Sequence, residues 1–388
     1  MVNKRDGKIA LALSGGGITG WLWEIGALTA LDDFLEEGFS VRDFDIYIGV
    51  SAGATAASLI ANHVSPEELF FANLGLKKSS YYFERKDIFG LAWGEIFRSL
   101  GRLAKSIFPI IKYYIKTNED IYFIDLLDLL QESQPTGFYT LEPFEKYLTR
   151  LIRENGLSDS FTALKKELYI PATDLDTGRY MVFGDKDNKD VLIPRAIIAS
   201  SAAPIFFCPV TVKGRDYIDG GVGRIPLFDI AIDKGAGLTI VINPVVHLIN
   251  DREKVCIPLI DGKCARIKEK GFATIADQAM KINTESRFYL AMKRYEYQYP
   301  DVSFCLITPK STETVIFMQS FLGIKDRVKI IRFGYTSTTE TLIEEYDRLK
   351  GCFLKHGISV SKEKLQKRME ERKRQMAAIV PNNHNNHH

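Results

Sequence analysis

Apolar residues run without a break from Ile9 to Leu13 and, with one glycine, from Ile46 to Val50, and both runs are shorter than a helix needs. Neither alternates with polar positions, so each is expected to be a strand covered on both faces. A helix-patterned stretch follows each run, over 21–35 and 54–62, after a turn that carries glycine. Further strand-like runs come at 168–173, 238–243 and 302–307, with helical patterns between them. This alternation predicts an α/β fold, a largely parallel central sheet wrapped by helices.

Residues 75–145 depart from the alternation and read as a helical insertion or lid. Within them Ile96, Leu100, Leu103, Ile107 and Ile110 recur at helical spacing, while Arg98, Arg102, Lys105, Lys112 and Lys116 follow two positions behind, about 200° around the helix. An oily face opposite a basic one fits either a helix packed on the core with its basic side in solvent, or an interfacial helix on anionic lipid. Pro109 should kink this helix or divide it in two. At the other end, Ser337-Thr338-Thr339-Glu340 has the form of a capping box opening a helix to about Leu354. Residues 362–376, dense in Lys, Arg and Glu, are expected as a solvated or partner-binding helix. The main unit is therefore drawn at 1–335, the C-terminal helices at 336–380, and a polar, disordered tail at 381–388.

The turns after the first two strands carry the candidate chemistry. Gly15, Gly16, Gly17 and Gly20 lie where a missing Cβ lets backbone amides turn toward one point and hold an anion. Gly49-Val50-Ser51-Ala52-Gly53 has the strand-turn-helix context of a nucleophile elbow. A serine hydroxyl needs a base at neutral pH, and the oxyanion it creates needs preorganised donors. Gly15-x-Gly17-x-x-Gly20 also satisfies a dinucleotide fingerprint, which wants an acid at the end of the second strand about 20 residues on. Asp43 and Asp45 precede that strand, at its wrong end. For the base, His247 could complete the order Ser51, Asp219, His247, but an α/β-hydrolase builds several strands before its nucleophile and Ser51 follows the second. The stretch 216–222 offers Asp219 beside Gly220 and Gly221, an acid held at the end of a short strand. A non-catalytic lipid-binding or dinucleotide-binding module is the alternative from another class.

Together these blocks resemble the patatin-like phospholipase family over roughly 8–245. The family's oxyanion loop matches Gly15, Gly16, Gly17 and Gly20, its nucleophile elbow matches Gly49, Ser51 and Gly53, and its Asp-Gly motif matches Asp219-Gly220. Residues 170–175 resemble its middle strand and 195–204 its small-residue helix, whereas Thr19 stands where many members carry Arg or Lys. The resemblance implies a Ser51-Asp219 dyad without histidine, with the glycine loop and Ala52 around the oxyanion and no metal or cofactor. It implies phospholipid or lysophospholipid esters as substrates, with other acyl esters open, and a peripheral membrane surface as partner.

Composition narrows the setting. Lys and Arg number 51 against 49 Asp and Glu, a formal charge of +2, which argues against a dedicated nucleic-acid binder. Cys208, Cys256, Cys264, Cys305 and Cys352 form no Cys-x-x-Cys pair, so reduced thiols and a cytoplasmic location are expected. Residues 9–13 are too short for a signal-peptide core, and no uncharged apolar stretch approaches the ~20 residues of a membrane span. Residues 185–190 look like a calcium loop, but lack glycine at the sixth position and an acid at the twelfth; a solvated turn is expected.

Overall fold

The run beginning at Lys8 becomes the central strand of an eight-stranded sheet, and its residues Ile9 to Leu13 have no exposed surface. The structure is a computed structural model that describes residues 7–75, 79–117, 133–222, 227–250, 257, 263, 264, 266–310, 324 and 326–377. In chain order the first elements are β1 (Lys8–Leu13), α1 (Gly17–Phe34), β2 (Ile46–Gly49), α2 (Ala52–Ala61), α3 (Pro66–Asn73) and α4 (Arg85–Ile88). There follow β3 (Gly90–Leu91), α5 (Trp93–Thr117), β4 (Tyr139–Thr140), α6 (Glu142–Glu154), β5 (Glu167–Asp174), β6 (Tyr180–Phe183) and α7 (Ile193–Ser200). The remainder comprises β7 (Val210–Val212), β8 (Arg215–Ile218), α8 (Leu227–Asp233), β9 (Ala236–Ile242), α9 (Phe272–Gln298), β10 (Ser303–Ile307), α10 (Arg327–Glu344), α11 (Tyr346–Lys355) and α12 (Lys362–Ala377).

The sheet order is β10-β9-β1-β2-β5-β8-β7, with β6 also paired to β5. Strands β10, β9, β1, β2 and β5 are parallel neighbours, and β6, β7 and β8 add an antiparallel end. Odd positions of β1 pack with α1, α2, α7 and α10, while Ala10 and Ala12 face α8 and α9 through residues such as Phe228 and Phe288. Two-sided burial explains the unbroken apolar runs. The expected parallel α/β sheet is thus present. The carboxyl ends of β1, β2 and β9 lie side by side, and crevices outside such ends are where open α/β sheets bind ligands.

Helices start earlier than the sequence pattern indicates, at Gly17 and Ala52 rather than 21 and 54, because the glycine turns themselves supply the first helical residues. The C-terminal expectations need more correction. Ser337, Thr338 and Thr339 open no helix: they are buried inside α10, which crosses the boundary drawn at 335. Helix α10 lies against α1 at backbone contact. A methyl on Gly26 would sit 2.4 Å from the Ile331 carbonyl oxygen, and one on Gly334 2.3 Å from that of Trp23. Nor is α12 a solvated helix. Its Leu365 and Met376 are in the core, and buried Arg372 donates to both oxygens of Asp33 in α1 at 3.1 and 3.2 Å and to Glu67 at 2.7 Å.

Helix α5 runs through Pro109 without being divided. Its buried side near the start is Glu95 and Ser99, continuing from Ala92 just before the helix, whereas Trp93, Phe97 and Leu100 are each more than half exposed. Leu100 therefore leaves the expected packed stripe. Arg102 also leaves the expected free basic face: half-buried, it donates to Glu95 at 2.8 Å and to the Gln134 carbonyl at 3.1 Å. Arg98 pairs with Glu95 at 3.2 Å while still largely exposed, and Lys105, Lys112 and Lys116 are exposed. Among the cysteines, Cys208, Cys305 and Cys352 are free but Cys264 is disulfide-bonded, which corrects the expectation of reduced thiols throughout. Cys256 and the tail 381–388 lie outside the described residues. At the calcium-like turn, Asp185 and Asp190 pair instead with Lys234 and Lys213.

Candidate active site

Ser51 stands between β2 and α2 with φ 54° and ψ −129°, a conformation in which a non-glycine residue is strained. The surrounding hydrogen bonds hold it there. The Val50 amide donates to Leu13 and the Gly53 amide to Val50, while the Ser51 amide donates to Ser200 Oγ at 2.9 Å. Ser200 Oγ in turn donates to the Pro171 carbonyl at 2.6 Å. Gly20, Gly49, Gly53 and Gly220 all occupy positions where a methyl group would come within 2.2–2.5 Å of backbone, so the motif spacing is set by close chain approach.

Asp219 follows β8, its carboxylate accepts the Gly221 amide at 2.7 Å, and it lines the same cleft as Ser51. Burial raises this acid from the ordinary carboxylate value to about 6, with the Ser51 hydroxyl and the Gly221 amide pulling the other way. Its own amide donates to the Ala202 carbonyl, and the next amide, of Gly220, donates to the Ser200 carbonyl. Ser200 therefore holds Ser51 with its side chain and, with its carbonyl, Gly220, the neighbour of Asp219. His247 is elsewhere: its Nδ1 pairs with Glu285 of α9, and its amide donates to the same carboxylate at 2.8 Å.

The glycine loop lies beside the pair, with φ of 81°, 110° and 67° at Gly15, Gly16 and Gly17. One member departs from expectation. The Gly15 amide donates at 2.8 Å to Glu24 Oε1, so it is not a free oxyanion donor. Glu24 has no exposed surface, and burial holds its carboxyl well above the usual carboxylate range. Gly16 and Gly17 line the cleft that holds Ser51 and Asp219. Gly17 and Ala52 open α1 and α2, whose first-turn amides have no partner within their own helix. Two positive helix ends thus flank Ser51, an arrangement suited to developing negative charge.

Two cavities share Ser51 and Gly17. One, about 660 Å³ with its mouth, is walled by Ala52 and by apolar side chains including Trp21, Leu59, Phe83, Leu151 and Phe207. Arg327 of α10 holds that wall, donating to the Phe83 carbonyl at 2.5 Å and to Asn73 Oδ1 at 2.6 Å. The other, about 1120 Å³ with its mouth, contains Asp219 and is closed by one face of α9: Asp277, Met280, Lys281, Thr284 and Phe288. No group of acids, cysteines and histidines suited to a metal occurs among the described residues.

Sequence reasoning missed Ser200 and Glu24 as parts of this site. Glu24 left a signal, a lone acid in an otherwise apolar helix start. Ser200 left none, since a serine in a small-residue helix is unremarkable until its partner is known.

Comparison with known proteins adds the following. The family model described as patatin-like phospholipase matches residues 11–232. An uncharacterized protein, R571, of Acanthamoeba polyphaga mimivirus is 28% identical over 167 residues, covering 40% of this chain and 54% of that one. A cGAMP-activated phospholipase of Escherichia coli is 26% identical over 226 residues, covering 55% of this chain and 51% of that one. These matches span about half the length of each relative. Among solved structures, VipD from Legionella pneumophila aligns over 87% of this chain and 67% of its own, at 15% identity and a TM-score of 0.35. The type III effector ExoU, from Pseudomonas aeruginosa, aligns over 86% and 53%, at 16% identity and a TM-score of 0.32.

Proposed function

The chain belongs to the patatin-like phospholipase family, and from that premise we propose that it hydrolyses carboxylic esters of membrane phospholipids through an acyl-Ser51 intermediate. The observation that carries this reading is the placement of Ser51 beside the buried Asp219 carboxylate in one cleft, with the Ser51 hydroxyl favouring the ionised acid. As Ser51 Oγ attacks the ester carbonyl, its proton passes to Asp219. The Gly16, Gly17 and Ala52 amides receive the oxyanion, each such donor contributing roughly 3 kcal/mol in the transition state. When the C–O bond breaks, Asp219 returns the proton to the departing alkoxide. Water then repeats the sequence on the acyl-enzyme, giving its proton to Asp219 and releasing the fatty acid.

A base that titrates near 6 suits this work, because it is ionised at neutral pH and still able to give the proton back. Engagement of His247 with Glu285 weighs against a triad. The partner is a lipid surface. No helix among the described residues is long and apolar enough to cross a membrane, so access to lipid falls to surface features such as Trp93, Phe97 and Leu100 beside exposed Arg98 and Lys105. The test is fluorophosphonate labelling together with hydrolysis of a short-chain p-nitrophenyl ester. Both should be present in the wild type and lost in Ser51→Ala, and full turnover in that variant would remove the proposal.

A further inference from the structure

The cavity of about 660 Å³ beside Ser51 is not apolar along its whole wall. Ser51, Thr55 and Leu59 follow one another at four-residue intervals along α2, as Gly17 and Trp21 do along α1, and all five line this cavity. Residues at that spacing share a helix face. Each helix therefore presents one group at the reacting carbonyl and a second one turn, about 5.4 Å, further along. That second group is Thr55 on α2 and Trp21 on α1, and only the next one on α2, Leu59, is aliphatic.

Three polar atoms of the wall have no hydrogen-bond partner among the described residues: Thr55 Oγ1, Trp21 Nε1 and Ser201 Oγ. Thr55 and Trp21 are buried, and Ser201 caps α7 directly after the Ser200 that holds the Ser51 amide. Buried polar groups without a partner are uncommon, because each keeps the cost of its lost hydration. All three can donate, the hydroxyls by rotation and the indole N–H along a fixed direction. They share what would satisfy them, an acceptor oxygen on whatever fills the cavity.

Asp219 lines the neighbouring cleft and not this cavity. Since that acid returns its proton to the departing alkoxide, the alcohol half of the ester lies on the cleft side and the acyl half is left with this cavity. A plain hydrocarbon chain would pass Thr55, Trp21 and Ser201 and leave them unpaired. A chain with an oxygen a few bonds from its carbonyl would pair with them and still bury its far end against Leu59 and Phe83.

We propose that this cavity is a subsite for oxygenated acyl chains, with a keto or hydroxyl oxygen close to the scissile carbonyl accepting hydrogen bonds from Trp21 Nε1 and the Thr55 and Ser201 hydroxyls. The subsite rests on the acyl-Ser51 reading and deepens it, by naming the kind of chain that is transferred to the serine.

The experiment compares kcat/KM on the p-nitrophenyl esters of decanoate, 5-oxodecanoate and 9-oxodecanoate, each below its micelle-forming concentration. Wild type should favour 5-oxodecanoate over decanoate by about fivefold or more, the scale of one neutral hydrogen bond, and should give 9-oxodecanoate no such gain. Thr55→Val combined with Trp21→Phe should bring the ratio of 5-oxodecanoate to decanoate close to one, whereas Thr55→Ser, which keeps the hydroxyl, should preserve most of it. Because both esters are read on the same protein, loss of folded enzyme cancels from the ratio. A wild-type ratio of one or below, an equal gain for 9-oxodecanoate, or a ratio unmoved in the double variant would each overturn the subsite. Fluorophosphonate labelling separates the two levels: an unlabelled wild type overturns the Ser51 mechanism itself, whereas labelling with a wild-type ratio of one overturns only the subsite.

Discussion

Glu24 accepts the Gly15 amide at 2.8 Å from a position with no solvent exposure, about two helical turns into α1. The contact fixes the first amide of the loop away from Ser51, and so determines which way the next two can turn. Burial pushes the Glu24 carboxyl well above the usual carboxylate range, and the contact with Gly15 needs only an acceptor oxygen, which glutamine also offers. Glu24→Gln should therefore retain most of the turnover of a p-nitrophenyl ester. Glu24→Leu leaves a buried amide unpaired, at a cost of about 1–3 kcal/mol, and should lower kcat more than it raises KM. Equal kinetics for the glutamine and leucine variants would show that the contact does not orient the loop.

The hydroxyl-carboxylate pair gives a sharper contrast. Asp219→Asn keeps the shape and cannot take a proton, so the rate should fall by at least ~10²-fold, the contribution of a general base. His247→Ala breaks only the contact with Glu285 and should change the rate little. If both variants are equally inactive, a triad replaces the dyad.

The raised Asp219 value has a direct pH consequence. The base works when ionised, so kcat/KM should be level above its pKa of about 6 and fall about tenfold for each pH unit below it. An ordinary exposed carboxylate would hold the rate level to about pH 4. A profile on a soluble ester distinguishes the two, and a level rate down to pH 4.5 would exclude a raised base.

On α5, the stacked rings of Trp93 and Phe97 lie 6.2 Å apart on the exposed side. Burying two such side chains in lipid contributes a few kcal/mol. The double variant Trp93→Ser, Phe97→Ser should lower co-sedimentation with anionic liposomes by about tenfold or more. Arg98→Gln with Lys105→Gln should lower it less and flatten its salt dependence, each charge contributing about 1 kcal/mol near the surface. Unchanged binding of the double aromatic variant would leave α5 with no role at the membrane.

For stability, the buried pair Arg372 and Asp33 is the place to look. Arg372→Met would leave buried Asp33 with the Tyr335 hydroxyl at 3.0 Å and exposed Arg368 at 4.0 Å as its side-chain partners. Removing one member of such a pair costs about 3–5 kcal/mol, which a thermal melt should register as a large drop. A melt within error of the wild type would mean that the Arg372 and Asp33 pair contributes nothing net to stability.

The sequence by itself determined the strands and both motif turns. An unbroken apolar run followed by a glycine turn and a helix has few other ways to bury itself, which is why β1, β2, β5, β9 and β10 fall close to their expected positions. The same logic located Ser51 and Asp219, since each lies at a strand end marked by glycines that close packing requires. What only the tertiary structure decided depends on partners far along the chain. The capping-box pattern at Ser337 is locally sound, yet burial of α10 against α1 outweighs a cap that contributes about 1 kcal/mol. The basic helix α12 reads as solvated because nothing near it in sequence announces that Asp33, more than 300 residues away, will take Arg372. Helix periodicity in α5 gave the repeat of its apolar positions but not which side the protein would cover, since spacing carries no information about the neighbour. Ser200 became legible as a support of the site only when the fold brought it to Ser51, because a hydrogen bond across 149 positions is a property of the assembled chain and of no local pattern.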